Sequence, residues 1–281
     1  MRLFAIPAVI AFAALAAGAA TGAPDNPLMQ PSTLPFGALP FDRISDGDYQ
    51  PAIEAGMKQQ LKEMNAIAND PAPPTFDNTF VAMEKSGRLL YRAAGAFDVE
   101  VATNSDPQLL RVRQTLAPEL AAHQDAIYLN PKLFARVQAI YKSLDRLKLD
   151  PESHHLVVTY YRRFMHAGAG LSAAKQTQLK QINQQLATLQ AVFERKLLAG
   201  TAAAALVVKD KTQLAGLSDS AVAAAEQAAG AKGDPGGYLI SLQNTTQQPA
   251  LTLLQERATR QQLFQNSWTR TEKNDDNDTR A

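Results

Sequence analysis

The sequence predicts an all-α fold with a minor β element, on three observations. Apolar residues recur every three or four positions from Ile53 to Leu197. Asx-Pro pairs punctuate that pattern as helix starts, and only two short β-branched or alternating runs interrupt it, near 204–210 and 238–243. With 281 residues the chain can bury a sizeable core as one large or two smaller domains.

The first 23 residues, "MRLFAIPAVIAFAALAAGAATGA", stand apart. One basic residue, Arg2, precedes an apolar run that ends in small residues, the pattern of a signal peptide cleaved near Ala19 or Ala23. The run approaches membrane-spanning length, but its alanine content and small-residue end favour cleavage over anchoring. The expected location is therefore periplasmic or secreted, with no membrane attachment after cleavage. Cleavage removes the net charge of +1 and leaves a formally neutral chain, so no nucleic-acid partner is predicted. The chain has no cysteine, which excludes disulfides, thiol catalysis and cysteine-zinc sites.

Residues 24–45 hold five prolines without helical period and read as an extended arm, pinned through Phe36, Leu39, Phe41 and Ile44. Asp46 or Asp48 then caps a helix with Pro51 in its first turn and a stripe of Ile53, Met57, Leu61, Met64 and Ile67. A second helix opens at Thr75 or Asp77 and runs through Phe80, Gly87 and Phe97 to Val101, with Gly87 and Gly95 expected at close helix contacts. A third spans about 107–129 around Pro118. Asn130-Pro131 and Asp150-Pro151 open two more. Ser172 caps the longest, whose Leu179, Ile182, Leu186, Leu189, Phe193 and Leu197 lie near a heptad repeat.

Beyond Gly200 the texture changes. Leu206–Lys209 and Tyr238–Leu242 are predicted as strands that pair, with an alanine-rich helix between them. In "GGYLISLQNTTQQPALTLLQ" the run Gln243–Gln248 reads as a polar turn, and a helix follows from about Pro249 to Trp268. The closing "TRTEKNDDNDTRA" reads as a solvated tail.

No residue reads as catalytic or metal-ligating. His154 and His155 are adjacent and point about 100° apart on a helix, which rules out a two-histidine clamp. His166 lies three turns beyond His155, and His123 has Asp125 at the wrong spacing. All four read as surface or capping histidines. The string His-Glu-x-x-His is absent, as are a Gly-x-Ser-x-Gly elbow and a phosphate loop. "DDND" (275–278) lacks the spacing of a calcium loop. Tyr160, Tyr161 and Trp268 read as core packing.

Longer strings carry a resemblance that these short patterns do not. "NPLMQPSTLPFGALPFDRISDGDYQPAIEAGM" (26–57), "PTFDNTFVAMEKSGRLL" (74–90), "LAPELAAHQDAIYLNPKLFARVQAIY" (116–141), "YYRRFMHAGAGLS" (160–172), "LAGLSDSAVAAAEQAA" (214–229) and "LISLQNTTQQPAL" (239–251) resemble, in order, the N-terminal part of bacterial peptidyl-dipeptidases of the Dcp type. These belong to the thimet-oligopeptidase-like zinc metallopeptidases.

The resemblance implies the multi-helix N-terminal lobe of a neurolysin-like fold over 46–200. It also implies the start of the catalytic body over 201–281, truncated before the zinc motif. In the complete family a His-Glu-x-x-His zinc site hydrolyses short peptides and releases C-terminal dipeptides. This chain is expected to bind no zinc and to be inactive alone, its partners being short peptides and a missing C-terminal half. Its substrate-binding residues stay unassigned, although Gln247 is expected to touch the peptide backbone in a complete enzyme. The alternative is a stand-alone helical module that binds a peptide or protein without catalysis.

Overall fold

The structure, a computed structural model, describes residues 26–104 and 106–280, so the signal-peptide reading of 1–23 lies outside the described residues. Ten α-helices and a two-stranded sheet are formed among the described residues. No described helix is long and apolar enough to cross a membrane.

The arm docks differently from expectation. Leu28, on the 3-10 turn Pro27–Met29, is fully buried against Tyr49, Ile53, Ala93 and Phe97. Arg92 Nε donates to its carbonyl at 2.9 Å. Leu39 and Ile44 pack on the same cluster as foreseen. Phe36 does not: Phe36 and Gly37 both take positive φ (60° and 69°), and the tight turn directs the Phe36 ring into solvent. Phe41 is exposed as well.

Helix α1 (Asp46–Ala68) is capped by Ser45, not by Asp46 or Asp48. Asp48 is instead the reciprocal partner, accepting from Ser45 N–H at 2.8 Å and from the Ser45 hydroxyl at 2.7 Å. Pro51 therefore falls in the second turn.

The expected second helix is broken. A π-helical turn (Asp77–Val81) and the short α2 (Ala82–Lys85) end at Ser86, and α3 (Arg88–Asn104) starts afresh. Gly87 makes the corner with φ 71°, its N–H donating to Glu63 Oε2 at 2.7 Å. Gly95 stands in open space, contrary to the close contact expected there. Gly87 does meet a neighbouring helix, since a Cβ there would run into Gln60 Nε2 of α1, and a further close contact is at Gly56 on α1, where a Cβ would lie 2.6 Å from Leu90 Cα of α3.

Local chemistry fixes the next helices. Asp106 accepts from Gln108 and Leu109 N–H at the start of α4 (Pro107–Tyr128). Asn130 does the same for α5 (Pro131–Lys142), and Asp150 for α6 (Pro151–His166). Phe80, Leu133, Val137, Val157 and Phe164 form one core cluster, while Leu28, Ile53, Phe97, Leu109 and Leu116 belong to a second. Arg136 is buried and holds the 70–78 loop: Nη1 donates to the carbonyls of Asp70 and Ala72 (2.9 and 3.1 Å), and Nη2 to Asn78 Oδ1 (2.8 Å).

Helix α7 (Ala173–Ala203) runs antiparallel to α4. Asn183 Nδ2 donates to Asp125 Oδ1 at 2.7 Å, and Arg113 Nε pairs with Glu194 Oε2 at 3.2 Å.

A third core cluster is built within residues 204–263. Strand β1 (Leu206–Val208) pairs antiparallel with β2 (Tyr238–Ile240) in the register Leu206↔Ile240, and α8 (Asp219–Ala231) lies between them in sequence. The run read as a polar turn is helical: α9 spans Asn244–Leu253 with Pro249 in its interior, and α10 spans Arg257–Trp268. The chain leaves α9 where Gln255 N–H donates to the Ala215 carbonyl at 2.8 Å. Trp268 is exposed, stacked on Phe264 at 5.8 Å, and is not core.

The tail is exposed over residues 272–276, as expected, but it is anchored near its end. Asp278 is buried; it accepts from Asn274 N–H and Arg280, while Lys196 of α7 donates to its carbonyl at 2.7 Å.

Candidate functional site

The histidines divide. His154, His155 and His166 are exposed on α6, as expected. His123 is 4% exposed and is not a surface residue. Its Nε2–H donates to Gln60 Oε1 of α1 at 2.6 Å, since a carboxamide oxygen can only accept. Nδ1 then carries the lone pair and has no partner among the described residues. Burial holds the His123 pKa below the usual imidazole value.

Among the described residues no three His, Asp or Glu side chains group as a metal site.

A cleft of about 860 Å³ lies between α1, α2, α3, α4 and α6, with the Gly87 corner on its wall. Its floor carries Tyr160, whose hydroxyl donates to Glu84 Oε1 at 2.6 Å. Burial, then that hydrogen bond, pushes the Tyr160 phenol well above its ordinary range. Tyr160 is thus a fixed neutral donor. Arg88, Tyr91 and Asp98 stand exposed at the rim. Such a cleft can hold an extended chain through donors, acceptors and apolar wall. The sequence signalled none of it, because Glu84 and Tyr160 meet across 76 positions.

Gln247 lies in the second turn of α9, half-buried, its N–H donating to the Gln243 carbonyl at 2.7 Å. The hollow beside it, about 310 Å³ between α8, β2 and α9, is lined by Ala221, Ala224, Thr245, Pro249 and Leu253 and is mainly apolar. Nothing brings Gln247 to the cleft.

Apolar side chains also gather on the outside of α7. Ile182, Leu186, Leu189 and Phe193 are exposed at 56, 51, 66 and 48%. The face toward α4 is made instead by smaller residues, Asn183, Ala187 and Ala191.

No family model matches this chain. It is 46% identical over 256 residues to a dipeptidyl carboxypeptidase of Escherichia coli strain K12, which covers 91% of this chain and 38% of that protein. It is 45% identical, with the same coverage, to a dipeptidyl carboxypeptidase of Salmonella typhimurium strain LT2. An oligopeptidase A of Haemophilus influenzae strain Rd is 25% identical over 239 residues, 85% of this chain and 34% of that protein. The chain thus spans less than two fifths of the length of these relatives.

Proposed function

We infer that this chain, which corresponds to an N-terminal portion of a dipeptidyl-carboxypeptidase-like protein, is the helical lobe of an exported zinc-dependent peptidyl-dipeptidase. Its work is to wall and shape a channel for short peptides. Zinc and the hydrolytic groups belong to the portion of such proteins that this chain does not match. The observation that carries this reading is the 46% identity sustained over 91% of the chain. The mixed polar and apolar cleft on the Tyr160–Glu84 pair supports a role in holding peptide rather than in cleaving it. The leader-like residues 1–23 support export.

The test is incubation of the purified chain with zinc and a short peptide, read by mass spectrometry. The expected result is intact peptide and no stoichiometric zinc. Dipeptide release that a chelator abolishes, with one zinc bound per chain, would overturn it.

A further inference from the structure

Helix α7 carries two distinct faces, one packed on α4 and the other exposed. At 100° per residue, Asn183, Ala187 and Ala191 form one line, the line that meets α4. Ile182, Leu186, Leu189 and Phe193 form a second line about 130° around the helix. Their 4-3-4 spacing, entered from Leu179 by a step of three, is that of a coiled-coil seam, which fits one helix and not a broad surface. The seam edges carry no charge: Asn183 and Gln190 flank one side, Gln185 and Val192 the other. A neutral-edged seam selects its partner by apolar fit rather than by ion pairs.

We propose that this seam is the seat of an apolar helix from the remaining part of the dipeptidyl-carboxypeptidase-length protein. The proposal rests on the function inferred above. Two observations choose this occupant over a second copy of the chain. The relatives extend well beyond this chain, which matches 38% of their length, so a large portion of such a protein is available to supply the helix. The seam is also small. Ile182 to Phe193 spans about 16 Å of helix, and four half-exposed side chains offer on the order of 400 Å², about half of what one side of a stable bimolecular interface needs. A helix tethered in the same polypeptide escapes most of the association cost, so the same area suffices.

The absence of cysteine gives a direct test. Leu189→Cys places one thiol in the seam, and Gln184→Cys places one on the opposite, exposed side of α7. Each is made in the 281-residue chain and in a fusion in which residues 26–281 replace the matching portion of the E. coli relative. Maleimide labelling is followed by mass spectrometry of the α7 peptide, and peptide hydrolysis is measured on the same fusion.

In the isolated chain the seam thiol of Leu189→Cys should label as fast as the outer thiol of Gln184→Cys. In the fusion the seam thiol should label at least about tenfold more slowly, the ratio for a local opening near 1.4 kcal/mol, while the outer thiol is unchanged. A fusion that releases dipeptides yet labels rapidly in the seam overturns the proposal and leaves the function standing. A fusion that neither hydrolyses peptide nor protects the seam thiol overturns both. Slow seam labelling of the isolated chain that speeds on dilution would show a second copy in the seam, and would also overturn it.

Discussion

Replacing Gly56 with alanine tests the packing that sets α1 against α3. The new methyl would stand 2.6 Å from Leu90 Cα, 2.7 Å from Leu90 N and 3.0 Å from Leu90 Cβ. Two of those atoms are backbone, so relief requires the helices to part by roughly 1 Å from van der Waals contact. A gap of that size forfeits a quarter to a half of the dispersion attraction across the pair. Buried Ile53, Ala93 and Phe97 sit in the cluster these helices share.

Overpacking of this kind costs about 1–3 kcal/mol, and relief of glycine's backbone entropy returns about 0.5–1 kcal/mol. The expected net loss is about 0.5–2 kcal/mol, or about 1–8 °C in Tm for a chain of this size. Gly95→Ala on α3 is the matched control, because nothing lies within 4 Å of its Cβ position. It should stabilise by about 0.5–1 kcal/mol. Urea titration followed by circular dichroism at the helical band reads both. Gly56→Ala as stable as the parent, or Gly95→Ala equally damaging, would refute the reasoning.

Arg136→Ala removes the donors that hold the Asp70, Ala72 and Asn78 acceptors and should cost about 2–3 kcal/mol in the same titration, with Arg136→Lys recovering less than half. His123 has a folded-state pKa below its unfolded value, so the unfolded chain binds the extra proton. Stability from this residue is full above about pH 6.5 and is lost as pH falls toward the depressed value; the urea midpoint should drop over that range, and His123→Gln should flatten the drop. The α7 seam should bind 1-anilinonaphthalene-8-sulfonate, and Leu186→Gln with Leu189→Gln should remove most of that fluorescence while shifting stability by no more than about 0.5 kcal/mol. Unchanged dye binding in the double variant would place the apolar surface elsewhere.

What the sequence disclosed and what it hid follow the range of the interactions. Asn130-Pro131 and Asp150-Pro151 were legible because cap, proline and first turn lie within four residues. The β1–β2 pairing was legible because each strand is a short run bounded by breakers.

Glycine roles were not legible. Gly56, Gly87 and Gly95 look alike in sequence, and only the facing Leu90, the Glu63 carboxylate or open space tells them apart. His123 read as a surface residue because its partner, Gln60, is 63 positions away. The anchoring of the tail at Asp278 was hidden because Lys196, which donates to its carbonyl, lies 82 positions upstream. Pro249 read as a helix start, yet the helix begins at Asn244, and the only backbone acceptor it forgoes is the exposed Thr245 carbonyl. The heptad on α7 was correctly spaced, but spacing does not say which side meets α4.

The central claim is that these residues act as the lobe of a peptide-cleaving enzyme whose chemistry lies outside them. Grafting residues 26–281 in place of the matching portion of the E. coli dipeptidyl carboxypeptidase, and measuring zinc-dependent release of dipeptides from a short peptide, tests it most directly. Restored release by the fusion, with none from the 281-residue chain under the same conditions, is the predicted result. A well-folded fusion that binds zinc but releases no dipeptide would contradict it.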